Sequence, residues 1–167
     1  MYRIIREILK NGIKTEPAPN PDPSLRVSGL KEEACVLEKS LSVRHVDAGS
    51  CNGCELEIHA LNNPYYSLEG SGLQFVASPR HADMLLVTGP VSKHMEEALK
   101  RTYEAMPEPK LVVALGDCGR NGGIFCSKRN YACSGGVSSV IPVDVEVPGC
   151  PPEPEAILRG ILSAIRS

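Results

Sequence analysis

Four cysteines stand just beyond three short apolar runs of this chain, and their placement constrains the fold more than any other feature. The runs are rich in β-branched residues and are often apolar at successive positions, as strands covered on both faces are. In an open parallel sheet every strand C-terminus faces the same edge, and ligands bind in the crevice outside it. Residues far apart in the sequence therefore meet there. The cysteines are Cys51 and Cys54 in HVDAGSCNGCE, Cys118 in LVVALGDCG and Cys150 in VDVEVPGCPP.

Short β-branched runs alternate with helical stretches from residue 41 onward, which is the pattern of an α/β fold. The predicted strands are Val43–Val46, Leu73–Ala77, Met84–Thr88, Leu111–Leu115 and Val140–Val147. Helices are predicted between Glu55 and Asn62, between Ser92 and Met106 with Ser92 as N-cap, and from Glu153 to the end. With 167 residues, 42% of them hydrophobic, we expect one core: an open parallel sheet with helices on both faces.

The first 40 residues follow a different pattern. In MYRIIREILKNGIKTE the apolar residues Ile4, Ile5, Ile8 and Leu9 recur at the spacing of one helical face, beside basic residues. PAPNPDPS follows, and its prolines favour an extended strap. We predict an arm over residues 1–40, made of a basic amphipathic helix and this strap, and an iron-sulfur domain over residues 41–167. The alternative is that the helix folds back onto its own domain.

Charge and composition exclude several classes of function. The net charge of −2, the interspersed charges and the absence of tryptophan argue against nucleic-acid binding. No run approaches the roughly 20 apolar residues of a membrane-spanning helix, and no secretory signal is recognisable. We therefore expect a cytoplasmic protein. In a reducing compartment, seven cysteines indicate metal or redox chemistry rather than a disulfide framework.

The four cysteines suit one 4Fe-4S cluster, which needs one thiolate for each iron. A structural four-cysteine zinc site is the alternative, but compact zinc sites usually have two CxxC pairs, whereas this chain has one pair and two isolated cysteines. The remaining cysteines are interpreted as unligated thiols, although two of them could contact the surroundings of the cluster. These are Cys35, Cys126 and Cys133.

Glu55 and Glu57 directly follow Cys54, and carboxylates beside a buried cluster can assist proton traffic. Alternatively they are ordinary residues at the start of a helix, where the dipole favours acids. The histidines show no ligand-like clustering and are interpreted as structural or surface residues. They are His45, His59, His81 and His94.

Four sequence blocks together resemble the small subunits of membrane-bound, energy-converting nickel-iron hydrogenases and, more distantly, the equivalent subunit family of the NADH-quinone oxidoreductase of respiratory complex I. The blocks are AGSCNGCELEI, SPRHADMLLVTGP, ALGDCGRNGGIF and VIPVDVEVPGCPPEPEAIL. Complex I relatives carry two adjacent cysteines in the first block, so the CxGC spacing of Cys51 and Cys54 favours the hydrogenase branch. The resemblance implies a flavodoxin-like fold with one proximal cluster held by Cys51, Cys54, Cys118 and Cys150.

The same resemblance implies a role in a larger complex. Electrons would pass between a ferredoxin-like iron-sulfur subunit and the nickel-iron site of a separate large subunit, where protons are reduced reversibly to hydrogen. Integral membrane subunits would hold the chain peripherally on the cytoplasmic side of the cell membrane. The alternative is a complex I-like subunit whose cluster reduces quinone or another acceptor.

Overall fold

A mixed sheet with one antiparallel edge strand forms the centre of the protein. The computed structural model describes residues 26–27, 40–66, 68–126 and 130–166. The strands are β1 (Arg26–Val27), β2 (Leu41–Asp47), β3 (Leu73–Phe75), β4 (Met84–Thr88), β5 (Val91–Ser92), β6 (Leu111–Leu115), β7 (Cys133–Gly135) and β8 (Val145–Val147). The helices are α1 (Gly53–Ala60), α2 (Lys93–Ala105), α3 (Gly116–Asn121) and α4 (Pro154–Arg166).

The six-stranded sheet has the order β1-β8-β6-β4-β2-β3, and β5 pairs with β7 in a separate two-stranded sheet. Strands β3, β2, β4, β6 and β8 are parallel to their neighbours, whereas β1 is antiparallel to β8. The parallel strands follow the 2-1-3-4-5 order of flavodoxin-like folds. The predicted α/β fold class is thereby confirmed.

Continuous apolar runs explain the two central strands. Every residue of β4 and β6 is buried, as expected for strands with a helical layer on each face. One face packs against α1 and α4 through Ile58, Ile157 and Ile161. The other face packs against α2 through Leu99. Helices therefore cover both faces of the sheet, as predicted.

Some predicted boundaries were wrong. The predicted strand Val140–Val147 begins only at Val145, because a 3-10 turn occupies Val137–Ser139 and Pro142 has no amide to donate to a ladder. The strand predicted over Leu73–Ala77 ends at Phe75. Helix α2 begins directly after Ser92 as predicted, although the Ser92 side chain makes no capping hydrogen bond.

The predicted arm contributes at least one element to the sheet. Arg26 pairs with Glu146 and Val27 with Val145, so this part of the chain forms the antiparallel edge strand β1. The predicted amphipathic helix and the proline-rich strap lie outside the described residues. The division at residue 41 stays a prediction. Among the described helices, none has the length and apolar character needed to cross a membrane.

Candidate metal centre at the carboxyl edge of the sheet

The loop after β2 positions the first two cysteines. Asp47, the last residue of the strand, accepts hydrogen bonds through Oδ1 from the amides of Gly49 (2.8 Å) and Ser50 (2.7 Å). The Ser50 hydroxyl then accepts from the Asn52 amide at 3.0 Å. Asn52 adopts a left-handed conformation with φ 71° and starts α1. This compact turn leaves Cys51 exposed and carries Cys54 into the first turn of the helix.

The other two cysteines, Cys118 and Cys150, lie on two segments that are hydrogen-bonded to each other. Cys118 is in α3, which begins directly after β6, and Cys150 follows β8. The Asp117 amide donates to the Gly149 carbonyl at 2.8 Å, and the Gly149 amide donates to Asp117 Oδ1 at 3.1 Å. Each of these two residues is the immediate neighbour of a cysteine. The reciprocal pair therefore fixes the Cys118 and Cys150 backbones relative to each other.

All four sequence-predicted cysteines are free thiols, and they lie close enough for the other three to affect the pKa of Cys54. Burial raises the pKa of Cys54 to about 12, with further contributions from Glu55 and from the charges of the other three cysteines. Burial likewise raises the pKa of Cys118, followed by the effects of Cys150 and Cys51. Because neighbouring sulfurs disfavour the ionised forms of Cys54 and Cys118, a bound cation would favour the thiolates at this site.

Glycines leave room for a bulky group beside the sulfurs. A Cβ atom at Gly116 would lie 2.9 Å from Cys54 Sγ, and one at Gly123 would lie 2.7 Å from Cys118 Sγ. Within the described ranges, no three cysteine, histidine or acidic side chains are grouped tightly enough to hold a single metal ion. In a 4Fe-4S cluster each sulfur binds a different iron, so the four thiols need not share one ion. Four thiolates are the donor set that such a cluster uses, so the residues present fit the group.

A buried polar network adjoins Cys54, and sequence reasoning missed part of it. Glu55 is only 8% exposed, and its Oε1 accepts a short hydrogen bond from the Thr88 hydroxyl. His45 Nε2 lies 2.9 Å from Thr88 Oγ1 and 3.7 Å from Glu55 Oε1. Because the Thr88 hydroxyl donates to Glu55, the consistent tautomer of His45 is the one whose Nε2–H donates to Thr88.

This network opens toward solvent through a cavity of about 280 Å³ lined by Arg44, His45, Glu55 and His59 among others. Burial lowers the pKa of His45, although the charges of Glu55 and Asp47 oppose the shift. Glu55 Oε2 is buried without a hydrogen-bond partner in the described part of the protein. His45 thus contacts Thr88 and lies near Glu55, the residue that follows the predicted ligand Cys54. The other histidines are exposed, and Glu57 is half-buried.

The expectation that Cys126 and Cys133 are unligated thiols was wrong. They form a disulfide, with Cα atoms 5.6 Å apart. Cys133 lies in β7, which folds back to pair with β5. No spacing rule in the sequence indicates this pairing. Cys35 lies outside the described residues.

The chain is thus an α/β protein with an open, mainly parallel sheet and four free thiols in the loops at its carboxyl edge. Residues 51–164 match the family described as NADH ubiquinone oxidoreductase, 20 Kd subunit, and the chain belongs to that family. The resemblance noted from the sequence blocks is thereby confirmed.

The chain is similar to proteins of both groups that the sequence blocks resemble, the hydrogenases and the NADH-quinone oxidoreductases. The chain is 50% identical over 129 residues to the probable membrane-bound hydrogenase subunit mbhJ of Pyrococcus furiosus, covering 77% of this chain and 76% of that one. It is 46% identical over 109 residues to the B subunit of the NADH-quinone oxidoreductase of Desulfovibrio desulfuricans, covering 65% of this chain and 58% of that one. These relatives are subunits of oxidoreductase complexes, so overall identity alone does not separate the branches.

A solved structure extends the likeness. A chain of the membrane-bound sulfane sulfur reductase, an archaeal respiratory membrane complex, superimposes with a TM-score of 0.68 at 36% identity. The match covers 80% of this chain and 72% of that chain. The chain is therefore an oxidoreductase-complex subunit of the electron-transfer type.

Proposed function

We propose that this chain holds one 4Fe-4S cluster through Cys51, Cys54, Cys118 and Cys150 and relays electrons through it. The observation that carries the proposal is the convergence of four free thiols, each altering the pKa of its neighbours or altered by them, at one edge of a parallel sheet. When bound, the cluster supplies one-electron transfer. The residues of this chain hold it, and the burial of Cys54 and Cys118 limits the access of water on the protein side.

The proposed partners are a hydrogenase-type large subunit with a nickel-iron site, a ferredoxin-like iron-sulfur subunit and integral membrane subunits. The identity to a probable membrane-bound hydrogenase subunit supports the first of these. Large apolar side chains near the thiols provide a surface for such a partner: Leu56 is 63% exposed, Ile124 80% and Phe125 42%. Val147, the last residue of β8, is fully buried and does not belong to this surface.

A complex in which the cluster passes electrons to another acceptor is the second candidate. The observation that favours it is the likeness to a sulfane sulfur reductase chain. The CxGC spacing of Cys51 and Cys54 supports the hydrogenase branch over quinone reduction. Purifying the intact complex without oxygen and assaying nickel and hydrogen uptake decides between the two. Nickel with hydrogen uptake supports the first candidate, and a nickel-free complex that reduces sulfur compounds or quinone supports the second.

Replacing any one of the four proposed ligands by serine tests the cluster itself. A hydroxyl is a harder and weaker iron ligand than a thiolate, so iron and acid-labile sulfide per chain should fall in each variant. Cys126→Ser is the matched control, because that residue lies outside the proposed ligand set and its iron content should be nearly unchanged. Loss of iron in the control, with Cys118→Ser retaining it, would show that the ligand assignment is wrong. A zinc-loaded, colourless wild type would overturn the cluster.

Of the two carboxylates proposed for a proton path, the geometry supports Glu55 over Glu57. Glu55 is buried and hydrogen-bonded toward His45 through Thr88, whereas Glu57 is half-buried with no such connection among the described contacts. Comparing Glu55→Gln with Glu57→Gln in the intact complex tests this. Electron transfer coupled to protons should slow more in Glu55→Gln, with iron content equal in both. Equal rates in the two variants would remove Glu55 from the path.

We propose peripheral attachment on the cytoplasmic side of the membrane. Residues 1–14 carry Arg3, Arg6, Lys10 and Lys14 against one acid, Glu7, so they favour an anionic membrane surface or an acidic partner groove. Deleting them should loosen the attachment to the membrane subunits while leaving iron content intact. Wild-type yield of the truncated chain in co-purification would contradict this role.

A further inference from the structure

Only a short stretch of backbone separates the Cys126–Cys133 disulfide from Cys118, a proposed cluster ligand. Gly122 and Gly123 separate the two sites. A Cβ atom at Gly122 would lie 2.9 Å from Cys126 Sγ, and one at Gly123 would lie 2.7 Å from Cys118 Sγ. Gly122 therefore lies against the disulfide, and Gly123 lies against the Cys118 thiol.

Two backbone hydrogen bonds connect Cys118 to Gly122 and Gly122 to Cys126. The Gly122 amide donates to the Cys118 carbonyl at 2.9 Å, and the Cys126 amide donates to the Gly122 carbonyl at 3.1 Å. Any shift of Cys126 is thereby transmitted to the end of α3, the helix that carries Cys118.

The other half of the disulfide is anchored to the body of the domain. Strand β7 pairs with β5, and the Lys93 amide at the start of α2 donates to the Ala132 carbonyl at 2.9 Å. The Ser134 hydroxyl donates to Glu96 Oε2 on α2 at 2.8 Å. The disulfide thus connects the β5–β7 strand pair to the loop behind Cys118.

The pair closes a short loop and is accessible to reagents. Its members are separated by only 7 residues, and a short closed loop gains less stability from a cross-link than a long one. Both cysteines are half-buried rather than enclosed, so reagents can reach them. On the cytoplasmic side proposed above, which is a reducing compartment, disulfides are usually catalytic or redox-sensing.

We propose that Cys126 and Cys133 form a reversible thiol–disulfide site. Its redox state sets the packing of residues 116–126, which include Cys118 and which we call the wall behind Cys118. A reducing dithiol attacks one sulfur, the Cys126–Cys133 bond breaks, and the mixed disulfide is resolved by the second thiol of the reagent. Two electrons and two protons pass to the protein, and the reagent leaves as a cyclic disulfide. A disulfide oxidant reverses the step. The inference concerns these two residues alone and does not depend on the identity of the group held by the four free thiols.

Peptide mapping tests the redox chemistry directly. The full chain is equilibrated without oxygen at different ratios of reduced to oxidised dithiothreitol, alkylated and digested with trypsin. Lys128 and Arg129 stand between the two cysteines in the sequence, so cleavage there leaves the cysteines on separate peptides that only the closed disulfide joins. We expect the joined peptides to convert completely into two alkylated ones as the ratio rises. Persistence of the link in fully reduced reagent, or its absence in fully oxidised reagent, overturns the proposal.

Two variants serve as controls. Cys133→Ser should abolish the link at every ratio, whereas Cys35→Ser should leave the titration unchanged. A link between Cys126 and another cysteine in the wild-type chain would contradict the assigned pair.

Hydrogen exchange tests the effect on the wall. In the open state, amides of residues 116–126 should exchange several-fold faster, because the Cys126 end of the hydrogen-bonded chain is released. Amides of β4, which is fully buried and remote from the disulfide, should exchange at the same rate in both states. Cys126→Ser should reproduce the open-state rates whatever the reagent. Equal protection of residues 116–126 in the open and closed states would overturn the coupling to Cys118.

Discussion

A single methyl group at Gly116 should perturb three ligand loops at once. Gly116 has φ +78° and lies two residues before Cys118. A Cβ atom there would lie 2.9 Å from Cys54 Sγ and 3.2 Å from the carbonyl oxygen of Gly149, the neighbour of Cys150. Gly116→Ala therefore pushes on the loops of Cys54, Cys118 and Cys150 together.

Two costs add in this variant. Holding a non-glycine residue at a positive φ costs about 1–3 kcal/mol, and inserting a methyl group into a well-packed site costs about 1–3 kcal/mol. Together they should lower the free energy of unfolding by about 2–6 kcal/mol. Iron content should fall as well, because a displaced Cys54 sulfur no longer meets its iron.

Gly53→Ala is the matched control. A Cβ atom at Gly53 would lie 3.5 Å from Cys51 Sγ, an ordinary van der Waals contact, and its backbone does not have a positive φ. Urea unfolding and iron analysis should find Gly53→Ala close to the wild type and Gly116→Ala impaired in both measurements. Equal stability and equal iron content in the two variants would refute the packing argument at Gly116.

Three further substitutions probe the polar network and the core. The free energy of unfolding should fall as the pH drops below about 6.5. Burial lowers the pKa of His45, so the unfolded chain binds that proton before the folded chain does. In urea titrations across this pH range, His45→Gln should show a weaker fall. Thr88→Val should destabilise the protein by about 1–3 kcal/mol, because the buried Glu55 carboxylate loses its donor; an unchanged unfolding midpoint would show that water replaces the hydroxyl. Leu99→Ala, at the fully buried position of α2, should cost about 2–5 kcal/mol in the same assay without altering iron content.

The strands at the centre of the sheet could be predicted closely because their apolar runs are continuous. Met84–Thr88 and Leu111–Leu115 agree with the structure at both ends. When helices cover both faces of a strand, the ends of the strand can be read from the sequence, because polar residues begin where the helices no longer cover it. The four cysteines could be placed at one edge for the same reason.

Elements whose formation depends on partners distant in sequence were not predictable. Helix α3 is only 6 residues long and includes Gly116 and Gly119, which have low helix propensity. Strand β7 exists because it pairs with β5, and that pairing brings Cys133 beside Cys126. The contact of His45 with Glu55 required the register between β2 and β4, which places Thr88 opposite Asp47. Local sequence patterns contain none of these distances.

The clamp between Asp117 and Gly149 has a consequence for the biogenesis of the protein. Two of the four thiols acquire their relative positions only through this clamp, and its partners follow two neighbouring strands, β6 and β8. The nascent chain therefore has no thiol site until the last parallel strand has joined the sheet. The proposed cluster would therefore be delivered after nearly the whole chain has folded, from the side where Cys51 and Cys150 are exposed. A scaffold protein that donates a preformed cluster would thus recognise the finished edge of the sheet rather than an unfolded segment.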